Sequence, residues 1–191
     1  MKLRLEPLTP ERWDDFESVF RARGCSVARG CWCMFYRISG PLPPAKGITL
    51  AERNRRAMRA LVDADEFIGL IGYADGRPVG WISFGPREYY RKLVRSPVMK
   101  AVDEQPVWSI ICFVVPSEFR GQGVARALLD GAVAYAKRRK IKLLEAYPVD
   151  KNGPSADDEL WFGTQSMFDR AGFTEVARRK RSRPVMRLRL G

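Results

Sequence analysis

Residues 3–8 (LRLEPL) alternate apolar and polar side chains, the period of a half-buried strand. Thr9 and Pro10 follow as a helix N-cap and a first helical residue, and Trp13, Phe16 and Phe20 recur with helical spacing to about Arg23. The stretch 24–47 is rich in glycine and proline and reads as an ordered loop or short turn. Thr49 and Glu52 form a capping box, behind which Leu50, Asn54, Ala57, Met58 and Leu61 hold one face of a second helix. Two apolar runs flank Asp75-Gly76, a hairpin signal. Residues 86–106 are charged and irregular, with a short helix around Tyr89 to Leu93. The run 107–115 (VWSIICFVV) is apolar almost without a break, which suits a strand buried on both faces. After Arg120 a helical stripe runs through Val124, Ala127, Leu128, Gly131, Ala132 and Tyr135. KLLEAY at 142–147 is a further strand, and a last helix is expected over 159–171, stopped by Gly172. FTEVARR and PVMRLRL read as a closing antiparallel pair.

The order is β-α-α-β-β-β-α-β-α-β-β. The strand–helix–strand unit over 107–147 must be a parallel crossover, and the hairpins on either side make the rest antiparallel. The expected fold is mixed α/β: one domain over 1–191, built on a mixed, mostly antiparallel sheet with helices on both faces. No internal repeat or linker divides the chain.

Composition adds limits. The chain has 191 residues, 46% hydrophobic and 29% charged, enough for a real core. No run of 18 apolar residues occurs, so no membrane span is expected. The N-terminus, MKLRLEPLTPERWDD, turns polar at once, unlike a signal peptide, and a cytoplasmic chain is expected. The formal charge of +12 is either a plain basic surface or a match for an anionic partner: a phosphate-rich cofactor, nucleic acid or an anionic membrane. The basic run 137–140 falls at a helix C-terminus, and the run 178–183 reads as a solvated hairpin turn. No nucleic-acid-binding motif accompanies the charge, so nucleic acid is not the expected partner.

The chain has no histidine, which excludes Ser-His and Cys-His nucleophiles and a histidine base. The four cysteines, Cys25, Cys31, Cys33 and Cys112, fit no common zinc spacing, and no metal site is expected. Cys31 and Cys33 lack a histidine or a visible helix N-terminus to activate them, so neither reads as a nucleophile.

The stretch VVPSEFRGQGVARALL at 114–129 carries the chemistry. Two glycines at a helix start cost stability. In exchange, a helix N-terminus offers unpaired N–H groups and the positive end of the dipole to an anion. Gly121 and Gly123 let a phosphate approach the backbone, and Arg120 adds a charged donor. Such glycines also serve simple packing. The P-loop and dinucleotide patterns are both absent.

The segment Arg120-Gly121-Gln122-Gly123-Val124-Ala125 resembles the [QR]-x-x-G-x-[GA] signature of the GNAT superfamily of N-acetyltransferases. The strand before it, the helix after it, the order of elements and SMFDRAGFTEVAR near the end are all similar to that family, from Leu3 to Leu190. GCWCMFYR and EAYPVD resemble a bacterial-type subgroup. The resemblance implies a GNAT fold and an enzyme that uses acetyl-CoA as co-substrate. It implies that backbone N–H groups of Gln122, Gly123, Val124 and Ala125, helped by Gly121 and Arg120, hold the pyrophosphate. Phe113, Val114 and Val115 would pair with the pantetheine arm in the gap between two parting strands. An N–H near Cys112 or Phe113 would polarise the thioester carbonyl. Family members are often dimers, so a homodimer is within what it implies.

Two departures stand out. Three residues, not two, separate Pro116 from Arg120, which implies a small bulge. The tyrosine that many members use as an acid is matched by Phe168, and the asparagine and alanine before it by Trp161 and Thr164. The CoA thiolate then leaves without an acid or takes a proton from elsewhere.

The expected reaction is direct attack of a primary amine on acetyl-CoA in a ternary complex. An amine with a pKa of about 10.4 needs a base near neutrality. Glu145, in the strand beside the thioester, is the first candidate, against the plain reading of a solvated or ion-paired carboxylate. Tyr147, on the same face of that strand, is the candidate acid. Asp150 and Glu104 are reserves. Trp32, Cys33, Phe35, Tyr36 and Trp161 are candidates to line the acceptor pocket, with Arg37 and Phe162 beside them. An aromatic run of this kind is as readily simple core. The acceptor is a small molecule or a peptide. The alternatives are a protein lysine or N-terminal acetyltransferase, or a non-catalytic module that binds acyl-CoA or nucleic acid.

Overall fold

The computed structural model describes residues 2–40, 47–151 and 160–191. Strand β1 (Arg4–Pro7) leads into a 3-10 turn at Pro10–Arg12 and helix α1 (Trp13–Arg21). Thr9 makes no side-chain cap bond; the proline turn, not the threonine, sets the helix start. Trp13, Phe16, Val19 and Phe20 share the buried face of α1. The expected loop holds a short helix, α2 (Ser26–Cys31), and its 41–46 segment lies outside the described residues. Helix α3 (Leu50–Asp63) begins as expected: the Thr49 hydroxyl accepts from the Glu52 N–H at 3.2 Å. The Glu52 carboxylate turns instead to Arg56 at 2.8 Å.

The hairpin β2 (Gly69–Ala74) and β3 (Arg77–Pro86) turns at Asp75 and Gly76, both at positive φ, as a two-residue turn of this kind requires. Helix α4 (Arg91–Arg95) punctuates the charged insertion. Strand β4 (Trp108–Val114), helix α5 (Val124–Arg138) and strand β5 (Leu143–Ala146) form the crossover. Helix α6 covers only Gln165–Asp169, much shorter than the expected 159–171, whose residue 159 lies outside the described residues. Strands β6 (Thr174–Lys180) and β7 (Arg183–Arg189) close the chain.

The seven strands form one sheet in the order β1-β2-β3-β4-β5-β7-β6. Every neighbouring pair is antiparallel except β4 and β5. Strand alternation sends Ile71 and Trp81 to the cluster built by α1 and α3, and Leu70 and Ile82 to the cluster built by α5. Val124, Leu128, Leu129, Ala132 and Ala136 bury that face of α5. The sheet is thus covered on both faces, as a run like 107–115 demands. Among the described residues, no helix is long and apolar enough to cross a membrane.

The basic hairpin is exposed at 178–181, and two of its arginines are also paired. Arg179 donates to the carbonyls of Val98, Lys100 and Ala101, and Arg178 pairs with Asp150 and Glu175 at 2.7 Å each. Part of the positive charge therefore ties the 96–106 insertion to the sheet.

Candidate active site

The two parallel strands stay in register for only three pairs, from Trp108 opposite Leu144 to Ile110 opposite Ala146. Two features end the pairing. On the β3 side, Ser83 faces Cys112 and Phe84 faces Ile110, so Ile111 is an extra residue that bends β4. On the β5 side, the segment 160–165 enters the gap. Phe113 donates its N–H to the Trp161 carbonyl at 2.7 Å, Val149 to Gly163 at 2.9 Å and Gln165 to Val149 at 2.9 Å. The sequence gives no sign of the bulge; Gly163 at φ +76 is the one local hint of the inserted segment.

Beyond β4 the chain turns through Pro116 and a 3-10 turn at Ser117–Phe119, which absorbs the extra residue before Arg120. Gly121 and Gly123 both sit at positive φ, +73° and +82°, where a side chain would be strained. Gly123 is the N-cap of α5 and no side chain caps the helix, so its first-turn amides face the cleft without a side-chain acceptor. The Arg120 guanidinium is held by the Val115 carbonyl at 3.1 Å and the Gly24 carbonyl at 2.6 Å. It staples the loop before α2 to the end of β4.

A cleft of about 780 Å³ runs along this splayed edge. Phe113, Val114, Val115, Arg120, Gly121, Gly123, Val124 and Ala125 line it. Gln122 does not; it is exposed, with its amide donating to the Glu118 carbonyl at 2.6 Å. The other end of the cleft is walled by Val27, Ala28, Cys33, Phe35, Tyr36 and Trp161. Trp32 is a correction to the expected acceptor wall. It is buried against α1, stacked on Phe20 with centroids 5.2 Å apart, and belongs to the core. Phe162 is buried too, edge-on to Tyr36 at 5.5 Å. Phe168 packs edge-on to Phe173 at 5.0 Å, inside the core.

The expected base and acid lie elsewhere. Glu145 and Tyr147 do share one face of the β5 strand, but neither lines the cleft. Glu145 is fully buried and accepts from Arg87 at 2.9 Å, from Arg187 at 2.8 Å and from the Tyr147 hydroxyl at 2.5 Å. Tyr147 also meets Ser109 at 2.9 Å. Burial, then the Glu145 charge, push the Tyr147 phenol well above its usual range, so it holds its proton. Both residues are corrected to a structural network, because two guanidinium groups occupy the lone pairs a base would use. Asp150 is paired with Arg178, and neither it nor Glu104 lines the cleft.

The thiols are where the sequence reading falls short. All four cysteines line the cleft, and none is in a disulfide. They come from α2, its two flanks and β4, and Cys112 shares the Ile111 bulge. Burial raises the Cys31 thiol to about 11. Cys33 moves the other way: the neighbouring Cys112 thiol, then the Trp81 indole and the Arg37 charge, lower its pKa despite burial. Among the described residues no group of three or more His, Cys, Asp or Glu side chains could hold a metal.

The model of the acetyltransferase (GNAT) family matches residues 32–159, about two thirds of the chain. Comparison with curated proteins gives no match. Among solved structures, a GNAT-family acetyltransferase from Streptococcus agalactiae superposes with a TM-score of 0.59 at 13% identity, over 99% of this chain and 96% of that one. The NatC complex bound to Gag peptide and CoA superposes at 0.56 and 14%, over 100% of both chains. The ribosomal-protein-S18-alanine N-acetyltransferase of Escherichia coli superposes at 0.53 and 12%, over 99% and 94%. At these identities the superpositions speak for the fold. With the family match over 32–159 and a seven-stranded sheet split between β4 and β5, the chain belongs to the GNAT family of acetyltransferases.

Proposed function

We propose that this protein transfers the acetyl group of acetyl-CoA to a primary amine on a small-molecule or peptide acceptor, by direct attack in a ternary complex. One observation carries the reading: a single cleft joins the glycine turn at the start of α5 to the apolar wall around Phe35 and Trp161. Cofactor and acceptor would meet at its middle, beside Cys112 and Phe113.

In this reading the amides of Gln122, Gly123, Val124 and Ala125 hold the pyrophosphate, and Gly121 and Gly123 keep side chains out of its way. Arg120 contributes by fixing the turn, since backbone carbonyls already occupy its guanidinium. The pantetheine arm lies along Phe113 to Val115 and competes with the Trp161 carbonyl for the Phe113 N–H. Phe113 is therefore not available to polarise the thioester until that contact opens.

Phe35 and Trp161 are large and partly exposed at the rim, which suits an acceptor with an apolar or aromatic body. The Lys92 ammonium lies 3.5 Å from the Phe35 ring centroid, so the rim already seats a primary ammonium. A lysine side chain or a protein N-terminus would fit that feature as well as a small amine, and a mixed acceptor panel separates them.

The test is thermal stability with and without acetyl-CoA, for wild type and Gly123→Glu. At 100 times its dissociation constant the cofactor stabilises by about 2.7 kcal/mol. For a chain of this size that raises Tm by roughly 5–10 °C. Gly123→Glu should fold, by circular dichroism, and lose the shift. A wild type that does not shift sinks the proposal.

A further inference from the structure

We propose that the acceptor carries an acid group, a carboxylate or a phosphate, beside its amine. Lys92 meets that group at the rim of the cleft, and Arg183 and Arg37 draw it in from behind the wall. This deepens the acetyl-transfer reading above and rests on it. The wall at the acceptor end is apolar, with Phe35, Tyr36 and Trp161 lining it. None of the three cations lines the cleft itself; they back its wall. The Lys92 ammonium lies 3.5 Å from the Phe35 ring centroid, and the Lys92 N–H donates to the Tyr36 carbonyl at 3.1 Å. Phe35 is 56% exposed, so Lys92 stands at the mouth. The Arg183 guanidinium lies 4.8 Å from the centroid of Phe162, whose ring meets Tyr36 edge-on at 5.5 Å. Arg37 follows Tyr36 in the chain and is only 7% exposed.

Three observations set these cations apart from arginines that merely hold the fold. First, they lack carboxylate partners. Arg87 has Glu145, and Arg187 has both Glu145 and Asp103. Among the described residues, by contrast, the Arg183 side chain reaches the Tyr147 carbonyl at 3.1 Å, and that of Arg37 reaches the Tyr90 hydroxyl at 3.4 Å. The partner of the Lys92 ammonium is an aromatic ring. Second, Arg37 Nε is buried and donates to nothing. A buried charge without an anion is costly, and a ligand that brings the anion removes that cost. Third, the chain around the wall offers little negative charge of its own. Residues 23–40 and 160–165 hold no acid, and 87–95 hold only Glu88, which is exposed. Asp157, Asp158 and Glu159 lie outside the described residues.

A positive wall serves the reaction in two ways. It attracts an acid group, modestly for an exposed pair and more strongly where rings keep water away. It also disfavours an ammonium in the cleft and favours the neutral amine that attacks. Among the described lining residues no carboxylate is present to do that work. The Phe35 face that would seat an acceptor ammonium is filled by Lys92, so a second cation there meets a like charge. Polyamines and lysine-rich peptides are therefore poor acceptors, and amino acids or acidic peptides are good ones.

The test holds one aminomethyl-phenyl body fixed and varies the group across the ring. The probes are 4-(aminomethyl)benzoate, its neutral amide, 4-(aminomethyl)phenylphosphonate and the dication p-xylylenediamine. Binding to the full chain is measured by calorimetry with and without CoA, and turnover is measured with acetyl-CoA. The better of the two acids should bind about tenfold tighter than the amide, and the diamine weaker than either. Which acid leads tells a carboxylate site from a phosphate site. Lys92→Gln should cut the advantage of the acid to about threefold or less. Lys92→Glu should reverse the order of benzoate and diamine, with both variants folded by circular dichroism. A packing role for Lys92 would weaken all the probes alike. Arg183→Gln should also shrink the acid's advantage. An amide that binds as tightly as both acids overturns the proposal. So does a diamine that binds tightest, or an order that survives Lys92→Glu. Absence of an acetyl-CoA thermal shift in the wild type defeats the acetyl-transfer reading instead, and the binding order without CoA still judges the wall.

Discussion

Glu145 shows how a residue can look catalytic and be structural. It lies fully buried between Arg87 and Arg187; Asp103 shares the balancing of Arg187, and Arg87 is the guanidinium that leans on Glu145. Glu145→Gln leaves Arg87 undercompensated and Arg187 with Asp103 alone, which should cost about 3 kcal/mol in urea unfolding. Acetyl-CoA affinity should not change, because Glu145 does not line the cleft. A loss of turnover at unchanged stability would return the base role to it. Asp103, on the other side of Arg187, gives a pH prediction. Hydrogen bonds from Arg187, then from the Gln105 amide, lower its pKa to about 2. A depressed carboxyl stabilises the fold above its unfolded pKa of about 3.9, and the stabilisation is lost as pH falls through about 2. Wild type should therefore exceed Asp103→Asn in urea midpoint near neutrality, with the gap closing as pH approaches 2. The gap is small, since the group is exposed and screened. At this scale the glycine turn was legible because its chemistry is local: Gly121, Gly123 and Arg120 are neighbours in sequence. The Cys33–Cys112 pair was not, because 79 positions separate the two and only the fold brings them together.

Elements fare better than residues, and their failures have one cause. Strand alternation, the Asp75-Gly76 turn and the Thr49 cap are short-range signals, and each produced its element. The helix expected over 159–171 shrank to Gln165–Asp169 because the backbone at 161–165 is bonded across the sheet, to Phe113 and Val149. Those tertiary bonds compete with the i to i−4 ladder and win. Likewise α2 forms in a glycine-bearing stretch because Asn54 of α3 donates to the Gly30 carbonyl at 2.9 Å and Trp32 stacks on α1. The placement of α5 over the hairpin rests on small residues opposite it. A Cβ on Gly80 would meet Leu128 Cδ1 at 3.0 Å, Val124 Cγ1 at 3.1 Å and the Val114 carbonyl at 3.2 Å. Gly80→Ala should therefore destabilise by about 1–3 kcal/mol through overpacking, even though alanine suits a strand better than glycine. Equilibrium denaturation reads this directly; a stabilised variant would mean that α5 has room to lift.

The whole molecule carries a charge of +12, yet several of its arginines are already engaged within the fold. Arg87, Arg178, Arg179 and Arg187 hold strands, carbonyls and the 96–106 insertion in place. What remains acts at long range as a field. Arg120, Arg126 and Arg170 all line the cleft; Arg126 is paired with Asp130 at 2.8 Å, and the other two leave the field positive where a polyanionic cofactor would enter. Such a field speeds encounter more than it tightens the complex, and salt screens it: the Debye length falls from about 30 Å at 0.01 M to about 10 Å at 0.1 M. The association rate of acetyl-CoA, followed by stopped flow, should therefore drop steeply over that range while the dissociation rate changes little. Dephospho-CoA, with less negative charge, should show the shallower slope. Equal slopes for the two ligands would mean that the net charge does not act at the cleft mouth, and that the basic surface serves some other end.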